Sequence, residues 1–214
     1  MTTVEHEKRE AAEAAAELVE DGMCVGLGTG STVAFLLEAL AARSPDIRCV
    51  GTSVATEQAA QRLGIPIEPF ETLDRLDLAI DGVDQISPDG WLVKGGGGAH
   101  TREKIVAAAA ERFVVIVSSD KLVERLHPPL PLEILVFGLA ATIRGMGEVT
   151  LRAGTPASPD GGLIADWHGP IADPGELAAR LAATPGVVDH GLFPPALVSD
   201  VLIAQGEKVE HRVF

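Results

Sequence analysis

The 214-residue chain contains only two cysteines, Cys24 and Cys49, with no C-x-x-C spacing. Both sit in or beside short apolar runs, the setting of small buried hydrophobes, and no disulfide framework is implied. Positive charge is scarce: the net charge is −14 and no Lys/Arg cluster stands out. That argues against nucleic acid, whose phosphates call for basic stripes, and against an anionic membrane surface. No apolar stretch reaches the roughly 18 residues that span a bilayer. The first residues are acidic and amphipathic rather than a basic segment followed by an apolar run, so no secretory leader is expected. The six histidines are scattered, without H-x-x-x-H or H-E-x-x-H, and no metal site is expected. A cytoplasmic soluble protein is the default reading.

Lysine is the scarcer cation, with five residues: Lys8, Lys94, Lys104, Lys121 and Lys208. Three of them, Lys94, Lys104 and Lys121, lie in or beside polar Gly- or Ser-bearing stretches at the ends of apolar runs. A compact ammonium suits a phosphate or a developing oxyanion. Lys94–Lys104 reads K-G-G-G-G-A-H-T-R-E-K. Consecutive glycines cost backbone entropy and make sense where bare backbone approaches a ligand, although a flexible surface loop has the same composition.

Thr2 with Glu5 forms a capping-box pattern and predicts a helix to about Glu20. Strands are expected at Met23–Leu27, Arg48–Thr52, Ile65–Pro69, Leu76–Ile80, Trp91–Val93 and Phe113–Val117. Helices are expected at Val33–Arg43, Ala55–Leu63 and Arg102–Arg112. Apolar strands alternating with helices predict an α/β, Rossmann-like, mostly parallel sheet covered on both faces. Beyond the Pro-rich link 127–131 the pattern changes. Strand 133–137, helix 138–144, strands 148–153 and 163–168, helix 174–183 and strand 187–193 spell βαββαβ, the ferredoxin-like order of a smaller α+β domain. The runs at 201–204 and 209–214 are expected to return to the first domain as a hairpin. The expected division is 1–127 with 200–214 for the larger domain, and 128–199 for the smaller.

Ligands of open α/β sheets bind beyond the carboxyl ends of the strands. Four polar stretches follow apolar runs: Gly28–Thr32, Asp81–Asp84, Lys94–Gly98 and Ser118–Lys121. If those strands are parallel, the four gather on one edge. Gly28-Thr29-Gly30-Ser31-Thr32 can bind an anion at a helix N-terminus, yet it is neither a Walker A motif nor a clean G-x-G-x-x-G, so nucleotide binding is not supported. Asp81 and Asp84 suit acid–base work or hydroxyl binding, or form an ordinary Asx turn. Glu103 lies in the first turn of a helix, where the dipole favours its ionised form, and is either a base or a plain helix-start acid. Lys121 reads equally as a surface lysine, and Lys104 is expected to face solvent.

Taken in order, GTGST, DGVD, KGGGGAHTREK, SSDK, LPLEI and GVVDHGLF closely resemble type A ribose-5-phosphate isomerase across essentially the whole chain. The resemblance implies an aldose–ketose isomerase that interconverts D-ribose 5-phosphate and D-ribulose 5-phosphate through a cis-enediolate, in the non-oxidative branch of the pentose phosphate pathway. It implies no cofactor and no metal. It places the sugar-phosphate loop on Thr29, Gly30, Ser31 and Thr32, and the acidic loop on Asp81, Gly82, Val83 and Asp84. The Gly-rich loop falls on Lys94, Gly95, Gly96 and Gly97, the catalytic glutamate on Glu103, and binding lysines on Lys121 and, more weakly, Lys8. Asp81 and Lys94 join Glu103 as the catalytic set. The family resemblance also implies a homodimer or homotetramer. Val83 and Gln85 depart from the usual Asp-Gly-Ala-Asp-Glu. His100 replaces a usual leucine and is expected at a surface or edge. Two other readings share the related fold: a non-catalytic sugar-phosphate sensor of the repressor type, and another sugar-phosphate enzyme such as an amino-sugar phosphate deaminase or a lactonase. The intact Thr-Arg-Glu-Lys and the ferredoxin-like pattern disfavour both.

Overall fold

The computed structural model describes residues 2–214. In chain order its elements are α1 (Thr3–Ala16), β1 (Cys24–Leu27), α2 (Ser31–Arg43), β2 (Arg48–Gly51), α3 (Val54–Arg62), β3 (Leu76–Gly82), β4 (Gln85–Ile86), β5 (Leu92–Val93), α4 (His100–Ala109), β6 (Ala110–Ser118), β7 (Leu130–Ile134), α5 (Leu139–Met146), β8 (Val149–Leu151), β9 (Leu163–Trp167), α6 (Pro174–Ala182), β10 (Val187–His190), β11 (Leu192–Phe193), β12 (Asp200–Gln205) and β13 (Lys208–Val213). The chain divides into two units. Among the described residues the first is 2–83, 102–122 and 195–214; the second is 84–101 and 123–194.

The first unit holds a six-stranded sheet in the order β13-β12-β6-β3-β1-β2. Five strands are parallel, and β13 pairs antiparallel with β12 as a hairpin on the edge. The capping box forms as expected: Glu5 N donates to Thr2 Oγ1 at 3.2 Å and Thr2 N donates to the Glu5 carboxylate at 2.8 Å. The helix it starts ends earlier than Glu20, because Leu18 N and Val19 N turn back to Ala15 O and Ala16 O in tighter three-residue bonds. The alanines at 11, 12, 15 and 16 form its buried face and join Leu27, Leu36, Leu40, Ile80, Val114 and Ile116 in one core. The strand expected at 65–69 is reduced to a single parallel bridge between Cys49 and Ile67. Pro66 and Pro69 supply no N–H to extend that ladder.

The second unit contains the predicted βαββαβ chain as a four-stranded antiparallel sheet, order β10-β7-β9-β8. Its core is Leu130, Leu132, Ile134, Trp167, Leu177 and Leu181. Asp173 caps α6 by accepting from Glu176 N at 2.9 Å, with Pro174 at the first helical position. The expected strand 187–193 breaks at Gly191. Its last two residues, β11, pair with β5, and β5 pairs with β4, in a separate three-stranded antiparallel sheet. That pairing draws 84–101 into the second unit, whereas the sequence reading put it with the larger domain.

Candidate active site

The strand order of the first unit reverses at β1, with β2 on one side and β3 on the other. Such a switch point opens a crevice beyond the carboxyl ends of the two strands. Gly28–Thr32 follow β1, and Asp81 and Gly82 are the last two residues of β3. They touch. A Cβ at Gly28 would sit 2.0 Å from Asp81 Cγ and Oδ1, so only glycine lets the loop lie against that carboxylate. Asp81 Oδ1 accepts from Thr29 N at 3.1 Å and Gly82 N at 2.7 Å, which fixes the carboxylate's orientation. Asp81 is buried.

Gly30 is the N-cap of α2, with φ 120° and ψ −177°, a conformation that excludes side chains, and no side chain caps the helix. The first-turn N–H groups of α2 and its dipole are therefore available to an anion. Lys8 Nζ donates to Ser31 Oγ at 2.9 Å, which leaves the Ser31 O–H to donate elsewhere. The Thr29 hydroxyl pairs with that of Thr52 at 2.8 Å, and Thr56 Oγ1 donates to Gly28 O at 2.7 Å. Thr52 and Thr56, which carry no motif in the sequence, follow β2, the third strand ending at this edge.

Lys121 follows β6 and pairs with its neighbour Asp120 at 3.0 Å. The turn bearing it is tied to α1 by Glu7. This buried carboxylate accepts from Ser119 N at 2.9 Å, Ser119 Oγ at 2.7 Å and Gly206 N at 3.0 Å. Burial pushes the Glu7 carboxyl up, but those bonds more than offset it and leave it below the usual carboxylate range. The sequence signal that could have marked Glu7 is its place on the 7, 11, 15 stripe of α1, shared with the buried Ala11 and Ala15.

Glu103 lies in the first turn of α4 and is 5% exposed. The last residue of α4 is followed directly by β6, and a Cβ at Gly26 of β1 would meet Val106 Cγ1 at 2.3 Å. The helix is thus packed closely on β1, with its N-terminal end directed toward the carboxyl edge of the parallel strands.

The remaining sequence-predicted residues, Asp84, Lys94 and Gly95–Gly97, belong to the second unit. The Gly-rich loop does not follow a parallel strand, as the sequence reading assumed. It follows β5 of the small antiparallel sheet. The strand-edge argument therefore holds for Gly28–Thr32, Asp81 and Ser118–Lys121, and not for this loop. Lys94 is buried, its N donates to Gly191 O at 2.8 Å, and its ammonium lies 5.6 Å from the centre of the Phe193 ring. Gly96 N donates to Asp84 Oδ2 at 2.7 Å, and Gly98 N closes a turn on Gly95 O at 2.9 Å. Arg152 Nη1 donates to Gly95 O at 3.1 Å and Gly96 O at 2.9 Å. Glu133, a charge inside an otherwise apolar strand, accepts from the hydroxyls of Thr101 and Ser158. Arg152 has no signal in the sequence. His100, expected at a surface or edge, is fully buried, and a Cβ on Gly95 would meet its Nδ1 at 2.6 Å. Gln85 is buried and exchanges hydrogen bonds with the His127 backbone, while Val83 is half-buried.

Among the described residues no three His, Cys, Asp or Glu side chains group as a metal requires. No helix among them is long and apolar enough to cross a membrane.

The sequence matches the model of the ribose 5-phosphate isomerase A (phosphoriboisomerase A) family over residues 48–208. Residues 3–64 also match the DeoR C-terminal sensor domain. A ribose-5-phosphate isomerase A of Roseiflexus castenholzii is 50% identical, over 87% of this chain and 86% of the relative. One of Nitrobacter hamburgensis is 47% identical, over 98% and 99%. Among solved structures, ribose 5-phosphate isomerase A of Neisseria gonorrhoeae superposes with a TM-score of 0.93 at 33% identity, over 100% of this chain and 98% of that one. A D-ribose-5-phosphate isomerase in complex with phospho-erythronic acid superposes at 0.94 with 32% identity, over 100% of both chains. The chain belongs to the ribose 5-phosphate isomerase A family.

Proposed function

We infer that the chain is an aldose–ketose isomerase interconverting D-ribose 5-phosphate and D-ribulose 5-phosphate by proton transfer through a cis-enediolate. Within a member of this family, the observation that carries the reading furthest is the locked carboxylate of Asp81 beside the open N-terminus of α2. One feature handles a hydroxyl proton and the other an anion.

We propose the following division of labour. Thr29, Gly30, Ser31 and Thr32 bind the phosphate with the first-turn N–H groups of α2, and Lys8 and Lys121 add charge. Binding energy at that remote end holds the reacting carbons in place. Asp81 moves the proton that opens the furanose ring, and Asp84, with the Gly82–Val83 backbone, binds sugar hydroxyls. Glu103 takes the C2 proton of the aldose and returns one to C1. General base catalysis of this kind contributes about 10²–10⁴-fold. Lys94 and the backbone of Gly95–Gly98 stabilise the enediolate oxygen. No electrons leave the sugar, so the chemistry calls for no redox cofactor.

The sensor reading is weaker, because the segment resembling a sensor domain stops at residue 64, before Asp81, Lys94 and Glu103. We further propose a homodimer or homotetramer working in the cytoplasm. Exposed Leu135, Val136 and Phe137 (51, 60 and 93%) support association. The test of the reaction is turnover of ribose 5-phosphate by chelator-treated protein in D2O, read by NMR. Ketose carrying deuterium at C1 is the expected product. Ketose without solvent deuterium contradicts exchangeable proton transfer, and binding without turnover moves the protein to the sensor class.

A further inference from the structure

The Gly-rich loop poses a problem of orientation. Four successive glycines permit their peptide planes to flip at little steric cost, and an oxyanion donor is useful only if it is aimed before the charge develops. In the second unit Arg152 holds two of these planes at once. Its Nη1 donates to Gly95 O at 3.1 Å and to Gly96 O at 2.9 Å. Its Nε and Nη2 grip Asp166 at 2.9 and 2.5 Å, and the pair is largely buried, 21% and 16% exposed. That grip fixes the guanidinium plane.

A trans peptide is planar, with its C=O and N–H pointing opposite ways. Pulling Gly95 O toward Arg152 turns Gly96 N–H to the other side, where Asp84 accepts it at 2.7 Å. Pulling Gly96 O the same way turns Gly97 N–H away from the guanidinium. A cation on a carbonyl oxygen also polarises the peptide and strengthens its N–H as a donor.

We infer that Arg152 is a positioning residue for the isomerisation: it holds the Gly96–Gly97 peptide so that the Gly97 N–H is aimed at the enediolate oxygen. Arg152 does not touch the substrate, and Asp166 keeps it in register. The inference rests on the proposal above that the Gly95–Gly98 backbone stabilises the enediolate.

The test compares wild type, Arg152→Met and Arg152→Lys. It reads kcat and KM for ribose 5-phosphate, inhibition by phospho-erythronic acid, inhibition by inorganic phosphate, and Tm. The carboxylate of phospho-erythronic acid stands in for the enediolate oxygens; phosphate reports only the anchor. In Arg152→Met, kcat falls about 100-fold, the loss typical of a reacting geometry misplaced by an ångström. Affinity for phospho-erythronic acid falls in step, while KM and phosphate inhibition stay close to wild type. Arg152→Lys keeps the charge without the fork and falls between the two; it carries the test if the methionine variant does not fold. A folded variant with unchanged kcat overturns the inference, as does a loss of kcat with phospho-erythronic acid affinity intact, the signature of a merely structural pair. Wild type that does not turn over ribose 5-phosphate overturns the functional reading and this inference together. Active wild type beside unimpaired variants overturns this inference alone.

Discussion

Gly28→Ala is the smallest change that separates the two loops of the switch point. The added Cβ would stand 2.0 Å from Asp81 Cγ and Oδ1 and 2.6 Å from Asp81 Cβ. Non-bonded carbons sit comfortably at about 3.5 Å, so the loops must part by roughly 1.5 Å or Asp81 must rotate. Either response breaks the bonds from Thr29 N (3.1 Å) and Gly82 N (2.7 Å) that hold the carboxylate. Overpacking of this kind costs about 1–3 kcal/mol of stability. Displacing a catalytic group by about 1 Å costs on the order of 100-fold in rate. The variant is therefore expected to fold with a lowered Tm and to lose about two orders of magnitude in kcat for ribose 5-phosphate, measured by ketose formation. Activity within twofold of wild type in a folded variant would refute the claim that Asp81 must be held in this place.

Other perturbations separate binding from chemistry and stability from both. Lys8→Met removes the ammonium from Ser31; as a proposed contact to the remote phosphate, its loss is expected to show mainly as a KM raised about tenfold, with a smaller fall in kcat. Raising the salt concentration narrows that difference. Asp200→Asn tests the tie between strands. Arg112 grips Asp200 at 2.5 and 2.8 Å and His211 Nε2 lies 2.6 Å away, holding its carboxyl below the ordinary value. A carboxylate with a depressed folded pKa contributes stability above its unfolded value near 4, and loses it as pH falls through the folded value. Glu7 behaves in the same direction. Wild type is therefore expected to lose Tm below about pH 4, with Asp200→Asn less stable by about 2 kcal/mol at neutral pH and flatter in acid. Thermal scans from pH 7 to pH 3 check both.

What the sequence made legible was what short-range chemistry dictates. The capping box at Thr2 and Glu5, the parallel strands, the βαββαβ order and the glycine at the α2 N-cap all follow from local pattern. Local pattern does not carry the pairings between distant segments. Nothing in the sequence near Leu92–Val93 says that it pairs with Leu192–Phe193, so local pattern alone puts the Gly-rich loop after a strand of the wrong sheet. Nothing near Arg152 points 56 residues back to Gly96. His100 looked peripheral because its neighbours are small and polar, yet it is the residue on which Gly95 rests. Glu7 and Glu133 were visible in principle, each a charge set in a buried apolar pattern, where it must find donors.

The central claim is that one buried carboxylate, Glu103, moves the proton. Glu103→Gln keeps the shape and removes the base. The account predicts that kcat for ribose 5-phosphate falls by at least about 10²-fold while KM, inhibition by inorganic phosphate and Tm stay close to wild type. Near-normal turnover by Glu103→Gln would contradict it.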